Sequence, residues 1–124
     1  VSEPVDESIQ LYGGREPMER VCFRLKLREE MVEKYVEQHK SVWPDMLEAL
    51  SDTGWTNYSL FLDRTDATLI GYFETSNLEK ALAGMAMKEV NQRWQAMMGD
   101  YFLALDGERP DEGFIQLENV FYLQ

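Results

Sequence analysis

From residue 20 the chain alternates. In "RVCFRLKL", Val21, Phe23, Leu25 and Leu27 share one face and Cys22, Arg24 and Lys26 the other, as in a half-buried strand. The period then lengthens. In "REEMVEKYVEQHK", Met31, Val32, Tyr35 and Val36 recur on one face with Glu and Lys opposite, which predicts an amphipathic helix. Pro44 disfavours helical geometry at Trp43, so this helix stops or kinks there. A second helix starts with Pro44 in its first turn, where the missing N–H costs nothing, and "PDMLEALSDTG" runs on to Gly54 as a left-handed cap. "WTNYSLFLDR" and "ATLIGYFET" read as a hairpin turning around "RTDA", its second strand apolar on both faces. "SNLEKALAGM" opens with Ser76 as a helix cap. "EVNQRWQAMMGDYFLAL" continues with Val90, Trp94, Met97, Met98, Tyr101, Phe102 and Leu105 at helix spacing. The charged loop "DGERPDEG" then leads to a last strand, "LENVFYLQ".

Strand, broken helix, hairpin, helices, strand is the β-α-β-β-α-β order of the ferredoxin-like plait, an α+β fold with an antiparallel sheet and its helices on one face. A sheet covered on one side leaves its other face in need of a partner, and the doubly apolar middle strand predicts a face-to-face homodimer. Residues 1–19 carry Pro4, Gly13, Gly14 and Pro17 without either periodicity, and read as a flexible acidic arm or linker before a single domain at 20–124.

Charge narrows the choice of partner. Twelve Lys and Arg against 23 Asp and Glu give a net −11, a surface that repels phosphates and disfavours nucleic acid and anionic membranes. One cysteine, Cys22, excludes an internal disulfide, and with a single histidine no Cys/His zinc site can be built. No apolar run approaches a membrane span, and "VSEPVDESIQ" lacks the basic and apolar regions of a signal peptide. The expectation is a soluble, intracellular protein without metal or cofactor.

Candidate chemistry centres on the lone imidazole. His39 lies four residues after Tyr35, so both project from one side of the helix, beside its apolar stripe. An imidazole with a pKa near 6.5 is suited to giving and taking protons at neutral pH, although a helix-end histidine can also serve simply to cap carbonyls. Tyr58 shares a strand face with Leu60 and Leu62 and turns toward the core or cleft. Trp94 lies on the packed face of its helix; such a ring is usually core, but with tyrosines beside it also makes a wall for the C–H face of a sugar.

These stretches together resemble the L-rhamnose mutarotase family. "YVEQHKSVWPDMLEAL", "NYSLFLDRTDATLIGYFE", "NQRWQAMM" and "LENVFYL" look like its four motif blocks, over about residues 20–124. The resemblance implies a dimeric α+β barrel that interconverts the anomers of L-rhamnose in the cytoplasm. It implies His39 as the catalytic proton donor, Tyr35 and Tyr58 as substrate-binding tyrosines, and Trp94 as the first member of a sugar-binding Trp-Trp pair. The chain departs from that pair at Gln95, where an amide offers hydrogen bonds in place of a flat apolar wall, and residues 1–19 have no counterpart. Two alternatives use the same fold: a cofactor-free monooxygenase, and a sugar-binding or regulatory module without turnover.

Overall fold

The computed structural model describes residues 17–103 and 114–124. Most of the expected arm and the loop "DGERPDEG" lie outside the described residues. Strand β1 spans Glu19–Lys26, and a 3-10 turn at Glu29–Met31 leads into helix α1, Val32–Gln38. Helix α2 (Pro44–Asp52) follows, then the hairpin β2 (Thr56–Asp63) and β3 (Thr68–Thr75). Helices α3 (Leu78–Ala86) and α4 (Glu89–Met98), a 3-10 turn at Gly99–Tyr101 and strand β4 (Ile115–Leu117) complete the described chain. The sheet is antiparallel in the order β2-β3-β1-β4, as the plait requires.

Alternation in β1 and β3 builds the core. Val21 pairs with Phe73, Phe23 with Gly71 and Leu25 with Leu69, all on the face that meets the helices. There Met46, Ala49, Ala81, Met85, Trp94 and Met98 join them in one buried cluster. Only glycine fits at position 71, since a Cβ there would stand 2.1 Å from the Phe23 ring. Its missing side chain is what lets the Phe23 ring lie across β3. The opposite face carries Cys22, Arg24, Phe61, Ile70, Tyr72, Ile115 and Leu117, none of them fully buried, and Phe61 is 62% exposed.

Proline and glycine act where the sequence places them. Trp43 is extended (φ −54°, ψ 132°) before Pro44 opens α2, and Gly54 turns the chain at φ +92°. Three boundaries differ from expectation. The cap of α3 is Asn77, whose Oδ1 accepts from the Lys80 N–H at 3.0 Å, rather than Ser76. Either residue can cap; the one in extended geometry next to the first helical residue does so. The helical pattern from Val90 onward ends at Met98, because Phe102 is drawn into a bridge with Leu27 and Leu103 N–H donates to Lys26 O at 2.8 Å. Leu105 lies outside the described residues. Of the expected last strand only Leu117 pairs, as the end of β4; Val120, Phe121 and Leu123 stand 84, 78 and 81% exposed.

Candidate active site

The helix-sheet interface is not filled to its end. A cleft of about 390 Å³ opens there, within the size range of small-molecule sites. His39, Tyr35, Tyr58, Trp94 and Gln95 all line it, so residues distant in the sequence converge on one space. The remaining wall is mostly apolar, with Phe23, Met46, Met85 and Met98 among its members.

His39 is the C-terminal cap of α1. Its backbone N–H (3.2 Å) makes the last i→i−4 bond of the helix to the carbonyl oxygen of Tyr35, and its Nδ1 (2.8 Å) takes the second lone pair of that oxygen. A carbonyl only accepts, so Nδ1 must carry the proton. The neutral ring is thereby fixed in one tautomer with a lone pair on Nε2, which has no hydrogen bond among the described residues. Capping and chemical availability, rivals on sequence grounds, are divided between the two ring nitrogens.

The imidazole is held by rings as well. Tyr35 stacks on it with centroids 4.0 Å apart and planes at 30°, and Trp94 meets it edge-on at 5.5 Å. Tyr35 is itself gripped edge-on by Tyr101 and Phe102 at 6.3 and 5.8 Å. Burial lowers the His39 pKa from its ordinary 6.5, and the bond to the Tyr35 carbonyl only partly opposes this. The resting ring is therefore neutral at physiological pH. Burial, followed by the proximity of Tyr58, raises Tyr35 well above the usual tyrosine value, so its phenol keeps its proton.

Tyr58 sits at the rim. Its ring packs against Trp55, Phe73 and Phe23 at 5.3, 5.8 and 6.3 Å, yet it is 38% exposed, because β2 is the sheet edge. Trp94, buried in α4, is braced edge-on by Trp43 at 4.9 Å, and the Trp43 ring lies 5.9 Å from the Arg93 guanidinium. Two contributors escape a reading of the sequence. Trp43 reads only as the residue before a proline, and its contact with Trp94 requires the folded α2–α4 packing. Asn91 is buried and lines the cleft one turn before Gln95; the four-residue spacing of two amides on one helix was the available signal.

The L-rhamnose mutarotase family profile matches residues 20–123. The L-rhamnose mutarotase of Bacillus subtilis is 35% identical over 106 residues, covering 86% of this chain and 99% of its own. That of Lachnoclostridium phytofermentans is 33% identical over 106 residues with the same two coverages. Among solved structures, the L-rhamnose mutarotase of Formosa agariphila superposes with a TM-score of 0.70 at 30% identity, over 86% of this chain and 99% of that one. A Nitrosomonas europaea protein described as an antibiotic biosynthesis monooxygenase gives a TM-score of 0.58 over 86% of this chain and 94% of its own. At 10% identity it shares the fold alone. The chain belongs to the L-rhamnose mutarotase family.

Proposed function

We propose that this protein is an isomerase that interconverts the α and β anomers of L-rhamnose by general acid–base ring opening and closure. One observation carries the reading beyond family membership: a neutral imidazole, its tautomer fixed by the Tyr35 carbonyl, lines an otherwise mostly apolar cleft, and its Nε2 makes no hydrogen bond among the described residues.

Mutarotation moves one proton between two oxygens bonded to the same carbon, so one nitrogen can serve both. Nε2 of neutral His39 takes the proton of the anomeric hydroxyl as the C1–O5 bond breaks and its electron pair goes to O5. The imidazolium, short-lived because burial disfavours its charge, returns that proton to O5. The open-chain hydroxy-aldehyde rotates about C1–C2, and the same steps in reverse close the ring on the other face of C1. His39 is thus base before it is acid. Positioned acid–base catalysis of this kind accounts for roughly 10²–10⁴-fold in rate.

In this reading Tyr35 orients the imidazole with its ring and carbonyl and, still protonated, offers its phenol to the sugar; Tyr58 binds the sugar from the rim. Trp94 and Gln95 form the far wall. The C5 methyl of L-rhamnose, where other hexoses carry a hydroxymethyl, suits the apolar side near Met46, Met85 and Met98. The working form is a homodimer in the cytoplasm. Its support is the uncovered sheet face, the exposed apolar residues of 118–124, a single cysteine and the absence, among the described residues, of any helix long and apolar enough to cross a membrane.

Exchange spectroscopy of the L-rhamnose anomers tests the activity. Added protein is expected to raise the α/β exchange rate above the spontaneous one at catalytic concentrations; no acceleration would remove the proposal.

A further inference from the structure

Two amides stand one turn apart on the cleft face of α4, and both are closed off from solvent: Asn91 is 1% exposed and Gln95 9%. Asn91 Nδ2 donates to the Met85 carbonyl at 3.1 Å. Because that carbonyl can only accept, the nitrogen of Asn91 must face it, and its Oδ1 is left facing Gln95. Gln95 answers with Nε2, donating to Asn91 Oδ1 at 3.1 Å. Turning the Gln95 amide over would set two oxygens against each other. The relay from the Met85 carbonyl through Asn91 therefore fixes which end of Gln95 is left over.

What remains is Gln95 Oε1, buried, on a cleft-lining residue, with no hydrogen-bond partner among the described residues. Buried polar atoms are nearly always paired, and one left unpaired is a standing cost that a ligand can relieve. An acceptor is complementary to a hydroxyl and not to an ether, a methyl or a methylene.

We propose that Gln95 is a specificity-determining residue whose Oε1 accepts a hydrogen bond from one non-anomeric hydroxyl of the sugar, held in register by Asn91. The cleft then takes aldoses that present a free hydroxyl toward α4 and discriminates against analogues lacking it. This rests on the mutarotase reading above, and it adds the polarity, acceptor rather than donor, of the contact Gln95 makes.

The test measures anomer exchange of L-rhamnose and its 2-, 3- and 4-deoxy analogues by wild type and by Gln95→Met, which keeps the length of the side chain and removes the acceptor. In wild type one deoxy sugar is expected to lose about tenfold in kcat/KM, mostly through KM, the scale of one neutral hydrogen bond. In Gln95→Met that same analogue is expected to lose nothing relative to L-rhamnose. Equal losses in both proteins, or no discrimination among the analogues, would overturn the inference while leaving the activity intact. Failure of wild type to accelerate L-rhamnose itself would overturn the activity and the inference with it. Should the variant not fold, the Gln95 side-chain carbonyl ¹³C resonance of labelled wild type decides: a downfield shift with L-rhamnose that one deoxy analogue fails to produce supports the contact, and identical behaviour with all four sugars refutes it.

Discussion

His39 and Tyr35 show how a four-residue spacing becomes a chemical device. The Tyr35 carbonyl takes the last i→i−4 bond of the helix from the His39 backbone N–H, and its second lone pair takes Nδ1 of the same residue. The cost of burial falls on the charged imidazole, which is why the pKa lies below 6.5. Catalysis that begins with the neutral ring is then fully developed at neutral pH and lost as acid protonates Nε2. The profile of kcat/KM against pH should rise through a single apparent pKa below 6.5 and stay level near pH 7. An acid limb centred above pH 7 would mean that a different group is titrating. The same lowering leaves the folded protein binding fewer protons than the unfolded chain below pH 6.5, so stability also falls as pH drops through that range. The Tyr35–His39 pair was legible in the sequence because both side chains lie on one short helix. The fixed tautomer was not, since it depends on which nitrogen meets the carbonyl.

At the level of elements, local signals succeeded where one residue dominates the backbone. Pro44 ended one helix and opened the next, and Gly54 took the left-handed turn. They failed where tertiary contacts compete. Phe102 has helical spacing from Met98, but its pairing with Leu27 pulls it into the sheet edge and the helix stops. Ser76 and Asn77 are both good caps, and the one that serves is the one held extended beside the first helical residue. That assignment has a direct consequence for stability. Asn77→Ala should cost about 1 kcal/mol in denaturant unfolding, through the lost bond to Lys80 N–H, whereas Ser76→Ala should stay within about 0.5 kcal/mol of wild type. Equal losses would put the cap elsewhere. Phe23 and Gly71 belong to the same level. Their positions on neighbouring strands follow from alternation, but the ring lying over the glycine, which shapes the cleft, appears only once the register is known.

For the molecule as a whole, the order of periods along the chain was enough to give the α+β plait and its antiparallel sheet, because only a few topologies suit that alternation. Sequence also named five residues that share the cleft, yet it could not show that Asn91 orients Gln95 or that Trp43 braces Trp94. The first depends on the Met85 carbonyl of the preceding helix, and the second on α2 packing against α4. The proposed homodimer is likewise a matter of the whole surface. Phe61 and Ile115 on the bare sheet face, and Val120, Phe121 and Leu123 beyond β4, expose apolar side chains that a single copy leaves in water. Light scattering at micromolar concentration should give twice the mass of one chain, and deletion of residues 118–124 should shift the species toward monomer. A monomeric full-length protein under these conditions would remove the face-to-face assembly.

The role assigned to His39, carrying the proton in both halves of the reaction, is decided by the α/β exchange rate of L-rhamnose with wild type and with His39→Ala, folding of each checked by circular dichroism. Removing the imidazole should cost about 10²–10⁴-fold in catalysed exchange while the far-ultraviolet spectrum is unchanged. A folded His39→Ala protein that exchanges the anomers as fast as wild type would contradict it, and the proton would have to be carried by another group in the cleft.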